Sequence, residues 1–591
     1  MPTYTAPIRD FQFALKEWLE IGQYQGNVPG FDDLDILDPI LDEGARFCQE
    51  VLFPLNQVGD AEGLKYENGN VTLPTGFKDA YRQYVESGWA SFACDAEFGG
   101  QNLPNVLNTP LIEMICSSNL SFGLIPGLTH GAYSALHLFG TQEQKQTYLP
   151  KMISGEWTGV MCLTEPQAGT DLGLITTKAV PNRDGSYAIT GTKIFISCGE
   201  HDAVDNIVHL ILARLPDAPK GVKGISLFVA SKYLVNTDGS LGERNAIQCG
   251  SIEHKMGIHA SPTCVMNYEG AKAWLVGEPH KGLRAMFTMM NEARLLVGIQ
   301  GLGIGEIAYQ NALAYAKERL QGRALRGALL PNKPADPITA HPDVRRMLLT
   351  QRAFAEGGRI LALWMALHVD LAHRHPDETV RREADEFVQL LTPVTKAYLT
   401  SGGTETASIG MQVLGGYGFI REYGMEQYLR DCRITEIYEG TNGVQALDLV
   451  GRKLPMHTGR LLRRFFHPVS QFIEENRDVP EMAEFTKPLY QAFRSLQQAS
   501  LWVAQKGLAN PDEAAGASVD YLNLFAHVTL GYIWARTAKI ALAKQEGDEK
   551  AFYQRKLATA RFYMHKLLPR HYSLLATLTS GVKHLELAET D

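Results

Sequence analysis

The chain has 591 residues, of which 45% are hydrophobic and 20% charged, with a formal net charge of -9 at pH 7. This length is well beyond the roughly 250–300 residues at which one hydrophobic core stops growing, so several domains are expected, and the composition is that of an ordinary soluble globular protein. The acidic balance gives no reason to expect a general nucleic-acid surface, and no apolar run approaches the roughly 18 residues of a membrane span.

The first stretch, MPTYTAPIRDFQFALKEW, lacks an apolar core of signal-peptide length and carries Asp10 and Glu17, which argues against a leader and makes the cytosol the expected compartment. Residues 1–34 read as an N-terminal extension. From Asp38 the chain offers a helix cap, Pro39 at a first helical position, and Ile40, Leu41, Phe47, Val51 and Leu52 at near-helical spacing. A further helix is predicted from about Phe77 to Val85, stopped by Ser87-Gly88, and the pattern continues between Leu111 and Leu149. Residues 35–156 are therefore expected to form a helical domain. At Trp157 the texture changes to short β-rich runs, Gly159 to Leu163, Tyr187 to Ser197, Ile207 to Ala213 and Ile225 to Val229, which predict a compact β-barrel-like domain over residues 157–280. Helical periodicity returns around 285–319, 343–374, 380–409 and 443–453, giving a bundle over 281–454.

Beyond it, Pro455, Pro480 and Pro511 punctuate amphipathic runs that include Leu501 to Ala504 and Leu522 to Ala543, an added helical domain over 455–591. The expected fold class is α+β, mainly α. Arg460, Arg463 and Arg464 read as a solvated helix face rather than one that touches a phosphate or membrane surface. The eight cysteines, at positions 48, 94, 116, 162, 198, 249, 264 and 432, show no spacing that builds a metal site or a disulfide framework and are expected to be buried reduced thiols.

Five segments can carry chemistry. In IYEGTNG, residues 437–443, Glu439 follows Ile437 and Tyr438 and precedes Gly440. Such a carboxylate can sit at a poorly hydrated surface, where desolvation makes it a useful base for a proton next to a carbonyl, or it can be an ordinary solvated group. In MCLTEPQAGTDLG, Met161 to Gly173, a strand-like run ends at Glu165-Pro166 and opens into a loop. There Gly169 lets backbone approach a ligand and the Thr164 and Thr170 hydroxyls can donate to a ring or phosphate oxygen, although an ordinary turn uses the same residues. In GTKIFIS, Gly191 to Ser197, alternation projects Phe195 and Ser197 to one side of a strand, where ring and hydroxyl suit a planar heterocycle; Phe195 equally suits a core. In QVLGGYG, Gln412 to Gly418, the glycines allow the close approach that phosphate or ribose contacts require, without the dinucleotide fingerprint. Arg294 and Arg319 lie in a helical region, and Arg319-Leu320-Gln321-Gly322-Arg323 offers a phosphate fork at a helix end, or simply exposed arginine.

Taken in order, MCLTEPQAGTD, GTKIFIS, NEARLLVGIQGLGIGEIAYQNALAYAKER, QVLGGYGFIREY and RDCRITEIYEGT resemble the acyl-CoA dehydrogenase family, over residues 35 to about 453. The long extension resembles that of larger bacterial members, which include fatty-acyl and 3-(methylthio)propanoyl-CoA dehydrogenases. The resemblance implies FAD held between the β domain and the bundle, with Glu439 at the base position. Glu439 would take the α-proton of a saturated acyl-CoA thioester while the β-hydride passes to flavin N5, giving a trans-2-enoyl-CoA. The thioester oxygen would be bound by the Glu439 N–H and a flavin ribityl hydroxyl.

By position in the matched motifs, Met161, Leu163 and Thr164 would line the flavin with Gly169 nearby, and Thr170 would reach a phosphate. Phe195 stands where many members have Trp, and Ser197 where many have Thr. Arg319, Gln321, Gln412 and Gly416 resemble residues that hold the ADP half of FAD in a neighbouring subunit, which implies a homodimer or larger homo-oligomer. Thr441 is a further expected cofactor contact, and Arg294, Tyr438 and Gly440 are expected at the substrate. Gly322-Arg323 departs from the common Phe-Gly, and Gly443 stands where some members place a flavin-binding Gln. Some relatives carry the base just before the helix arginine; here that position is Ala293, with Glu292 one residue earlier as the outside candidate. An electron-transfer flavoprotein is the expected acceptor and no metal is implied. An acyl-CoA oxidase, or a non-catalytic acyl-CoA binder acting through its C-terminal helices, are the alternative readings, and the acyl chain is left unnamed.

Overall fold

The structure, a computed structural model, describes residues 2–586, which pack into two compact units, one formed by segments 46–103 and 118–296 and the other by the remaining segments. In the first, the Phe77–Glu86 helix buries Phe77, Ala80, Tyr81 and Tyr84, the i, i+3, i+4, i+7 stripe of an amphipathic helix, and stops where Gly88 turns left-handed at φ 78°. The Leu120–Phe139 helix starts at Asn119, whose side chain accepts the Phe122 N–H, and Gln142–Ile153 starts at a reciprocal Thr141/Gln144 capping box.

These helices accompany a seven-stranded sheet in the order Ile247–Ile252, Thr263–Val276, Tyr187–Ser197, Lys178–Pro181, Asn206–Arg214, Trp157–Cys162. The seventh strand, Ile225–Ser231, pairs with both Thr263–Val276 and Asn206–Arg214, which curls the sheet toward closure and gives the barrel-like character that the short strands suggest. Trp157–Cys162 is buried at every position and runs parallel to Asn206–Arg214. The Leu120–Phe139 helix crosses it so closely that a Cβ on Gly159 would come within 2.6 Å of the Ala132 methyl.

The second unit is helical. Its core includes Ile299, Leu302, Phe354, Ala362 and Leu399. Residues from Val297 onward of the Gly282–Glu318 helix meet the Glu378–Leu414 helix backbone to backbone: a Cβ on Gly301 would lie 2.4 Å from the Leu399 carbonyl oxygen, and one on Gly403 2.3 Å from that of Gly301. The Pro342–Arg374 helix contributes Arg359, wholly buried between Glu113 and Glu306. The C-terminal extension supplies Arg460–Glu475, Ala483–Ala509, Pro511–Lys544, Lys550–Phe562 and Arg570–Leu578. It packs on the bundle where the Trp534 indole donates to the Ala353 carbonyl at 3.3 Å.

Two sequence expectations change here. Residues 2–34 are part of this packed unit: Phe11, Phe13, Leu15 and Trp18 are wholly buried, Arg9 pairs with Glu549 at 2.6 Å, and Lys556 bonds Asp10. Arg460 and Arg464 do not form a solvated face, since both pair with the buried Glu386; only Arg463 of the three is exposed. All eight cysteines are buried, and none forms a disulfide among the described residues. Among the described residues no helix is long and apolar enough to cross a membrane.

Candidate functional site

In the sheet-containing unit the two β-domain motifs come together. The Ile194 N–H donates to the Thr164 carbonyl at 2.9 Å, and Lys193 Nζ donates to the Leu163 carbonyl at 2.9 Å, so Leu163 and Thr164 lie beside the end of the Tyr187–Ser197 strand, while Met161 is buried in Trp157–Cys162, paired with Leu210. That strand is bulged: Met266 pairs with Lys193 and Cys264 with Ile196, so Ile194 and Phe195 together oppose Val265 alone. Strict alternation would put Lys193 and Phe195 on one face. The bulge separates them, burying Lys193 completely and leaving Phe195 59% exposed with a left-handed φ of 59°. The core reading of Phe195 is thereby overturned, and an exposed ring lies near partly exposed Leu163, Thr164 and Ser197. Gly169 and Thr170 are exposed on the following loop, and a Cβ on Gly169 would meet nothing within 4 Å.

The loop is held by a residue that the sequence presents as a mere turn. Glu165, 2% exposed, accepts from Lys193 Nζ at 2.8 Å, from the Thr176 N–H at 2.6 Å, and from the Thr177 N–H and hydroxyl at 3.0 and 2.6 Å. Burial favours its neutral form, but Lys193 and these donors outweigh it and hold the carboxyl down at about 2. Alternation places Lys193 on the Phe195 face, so the sequence pattern carries no signal for its burial. In the same unit Arg294 is buried and donates to Asn291 Oδ1 at 3.3 Å, and Glu292 is raised to about 7 by burial, against the opposing pull of the Ser134 hydroxyl.

In the helical unit, a 3₁₀ turn at Ile434–Glu436 leads into the Glu439 loop, after which Thr441 caps the Asn442–Asp448 helix by accepting the Val444 N–H at 3.3 Å. Glu439 is partly exposed and left-handed at φ 56°, a conformation that costs a non-glycine residue about 1–2 kcal/mol. Tyr438 donates its hydroxyl to Gln300 Oε1. Wholly buried Lys396 and Gln445 donate to the loop carbonyls, and the sequence motif contains neither lysine nor its partner helix.

A separate cleft of 460 Å³ brings together Arg319, Gln321 and Gly416 with Tyr315, Ile338 and Tyr417. The three nearby glycines have different reasons. Gly415 is left-handed at φ 62°, a Cβ on Gly416 would meet nothing within 4 Å, and a Cβ on Gly418 would strike the Met411 carbonyl at 2.3 Å. Gln412 is exposed just before them. Of the two arginines of the expected phosphate fork, Arg319 stands over Tyr417, its Cζ 5.8 Å from the ring centroid, whereas Arg323 is tied to the carbonyls of Leu330 and Lys333 and to Asp336. The exposed Phe195 ring with its polar neighbours, and this cleft with its arginine and open glycine, fit the two halves of a flavin dinucleotide in kind.

The chain resembles known proteins over nearly its whole length. The profile of the acyl-CoA dehydrogenase N-terminal domain matches residues 39–156, the middle domain residues 160–271, the C-terminal domain residues 280–454, and an acetyl-CoA dehydrogenase C-terminal-like region residues 465–587. The 3-methylmercaptopropionyl-CoA dehydrogenase of Ruegeria pomeroyi is 45% identical over 96% of this chain and 96% of its own length. The broad-specificity linear acyl-CoA dehydrogenase FadE5 of Mycobacterium tuberculosis is 34% identical over 100% of both chains. Among solved structures, ACDH-11 of Caenorhabditis elegans in complex with C11-CoA shares the fold at TM-score 0.78 and 19% identity, covering 96% of this chain and 92% of that one. An acyl-CoA dehydrogenase from Bacillus anthracis complexed with FAD does so at TM-score 0.73 and 21% identity, covering 95% and 90%. With four profiles in register along its length and near-complete relatives on both sides of the extension, this chain belongs to the acyl-CoA dehydrogenase family, flavin-dependent oxidoreductases acting on CH–CH bonds of acyl-CoA thioesters.

Proposed function

We propose that this enzyme dehydrogenates 3-(methylthio)propanoyl-CoA across its α,β bond, with Glu439 as the base that takes the α-proton. The observation that carries the base assignment is the loop itself: a partly exposed carboxylate on a left-handed turn whose carbonyls are held by two wholly buried side chains. Thioester α-protons are weakly acidic, so a base must be held within about 3 Å of its proton at a fixed angle. The acyl group is supported by the 45% identity to the Ruegeria pomeroyi enzyme over nearly the whole chain.

Bound FAD supplies the acceptor for the β-hydride. The residues that would hold its ring are Met161, Leu163, Thr164, Phe195 and Ser197, with Gly169 leaving room and Thr170 reaching a phosphate. Arg319, Gln321, Gln412 and Gly416 would hold the ADP half of a partner subunit's FAD, with Thr441 a further contact. A partner subunit's FAD held in this way would require a homodimer or larger assembly. Arg294, Gly440 and the main chain of Tyr438 would meet the substrate. Electrons would leave to an electron-transfer flavoprotein, and domains over 35–156, 157–280, 281–454 and 455–591 follow the resemblance.

Purified protein should be yellow and should bleach anaerobically with 3-(methylthio)propanoyl-CoA faster than with butyryl-, octanoyl- or palmitoyl-CoA. Protein that takes up no FAD would sink the reaction assignment. Preference for a straight chain would overturn only the acyl assignment, and peroxide formed from oxygen as fast as an artificial acceptor is reduced would favour the oxidase reading.

A further inference from the structure

The turn that presents Glu439 consists of two consecutive left-handed residues, Glu439 at φ 56° and Gly440 at φ 84°. Gly440 adopts this conformation freely, whereas Glu439 has a Cβ that opposes it. Strained residues persist only where their surroundings over-determine them. Here Gln445 donates its Nε2 to the carbonyls of Glu439 and Gly440, 3.2 Å each. Lys396 donates its Nζ to the Gly440 carbonyl at 2.9 Å and to Asn442 Oδ1 at 3.0 Å. The Asn442 amide in turn donates to the Ser401 hydroxyl at 2.8 Å and the Ala397 carbonyl at 3.3 Å, stitching the loop to one stretch of the Glu378–Leu414 helix.

That helix is closely packed on its other side, where its backbone meets Gly298 and Gly301; a Cβ on Gly301 would lie 2.4 Å from the Leu399 carbonyl oxygen. Lys396 is the conspicuous member of the set. Its ammonium is wholly removed from water, which is costly unless every donor is used, and it is spent on the carbonyl of the residue directly after the carboxylate. At this carbonyl the lysine bond is the shorter, 2.9 Å against 3.2 Å for the Gln445 amide.

We propose that Lys396 is a positioning residue: its hydrogen bond to the Gly440 carbonyl fixes the left-handed turn and thereby aims the Glu439 carboxylate at the α-carbon of the acyl thioester. The inference rests on the reading of Glu439 as the base. Lys396 acts through the loop and touches no reacting atom.

The test uses FAD-loaded Lys396→Met, which keeps the length of the side chain and removes the donor, and Lys396→Gln, which restores a neutral donor. Proton removal is isolated with 3-thiaoctanoyl-CoA, whose β-sulfur carries no hydride, by following exchange of its α-protons into D2O by NMR. Affinity for that analogue and flavin content should stay within about 3-fold of the parent, while α-proton exchange and anaerobic flavin reduction slow by about 10–100-fold in Lys396→Met and by less in Lys396→Gln. Should Lys396→Met fail to fold, Lys396→Gln carries the test through the same rates. Parent-like rates in a folded variant that merely melts lower would overturn the proposal, since that is the signature of a packing role. In a Glu439→Gln background, Lys396→Met should slow exchange no further; a further loss by the parent's factor would also overturn it. Near-parent exchange in Glu439→Gln alone identifies failure of the base assignment itself, and the proposal falls with it.

Discussion

Phe195 and Glu439 both stand at left-handed non-glycine positions, φ 59° and 56°, and each belongs to a segment anchored by a wholly buried lysine, Lys193 in one and Lys396 in the other. The conformation has different origins. At Phe195 it is made by the sheet: one extra residue opposite Val265 turns the ring outward, and the ladder resumes on either side. At Glu439 no ladder exists, and the turn is held by side chains, one of them from a helix more than a motif away in sequence. Orientation written into backbone pairing should survive changes of side chain. Orientation written into side-chain donors should not.

The largest test of this contrast falls on the buried pair beneath the Phe195 strand. Lys193→Met strands the Glu165 carboxylate and should destabilise the protein by about 3–5 kcal/mol in thermal or denaturant unfolding, while adding Glu165→Leu should recover most of the loss. A single variant with parent-like stability would show that the pair does not anchor the loop.

Next comes a pair of carboxylates with opposite pH behaviour. Glu165 is held at about 2 against an ordinary 4.5, so its contribution is complete above about 4.5 and is lost as pH falls toward 2. Glu292 is raised from 4.5 to about 7, so its contribution is present below 4.5 and is lost as pH rises through 7. In melting temperatures followed across pH, Glu292→Gln should flatten part of the fall between those two values. Glu165→Gln should leave that window unchanged and alter only the acid limb.

A smaller effect is expected at the ring itself. Phe195→Ala should leave the apoprotein's melting temperature unchanged, because the side chain is exposed, and should weaken FAD binding by about 0.5–1.5 kcal/mol, while Phe195→Trp should retain it. The smallest concerns the basic cluster: Arg463→Ala should stay within about 0.5 kcal/mol of the parent, and Arg464→Ala, which abandons the buried Glu386, should cost more by the same unfolding measurement.

Much of this arrangement was legible in the sequence because it is periodic or local. Tyr187–Ser197 and Phe77–Glu86 follow from alternation and from a helical stripe ended by glycine, and both stand essentially where the pattern puts them. The outward turn of Phe195 was reached for an incomplete reason, since simple alternation would also have exposed Lys193; the bulge depends on a partner strand more than sixty residues later. Glu165, Lys396 and Gln445 were missed because their meaning lies in what they touch, and a buried charge carries no periodic signature. The N-terminal residues illustrate the same limit. Phe11, Phe13 and Trp18 read as an unassigned extension until the C-terminal helices that cover them are in place.

The central claim is that Glu439 removes the α-proton, and it is tested most directly by anaerobic stopped-flow flavin reduction in Glu439→Gln with saturating 3-(methylthio)propanoyl-CoA. The account predicts a yellow protein that still binds acyl-CoA and reduces its flavin about 10²–10⁴-fold more slowly than the parent, because an amide cannot accept the proton. Reduction at a rate close to the parent's would contradict it and move the base to another residue.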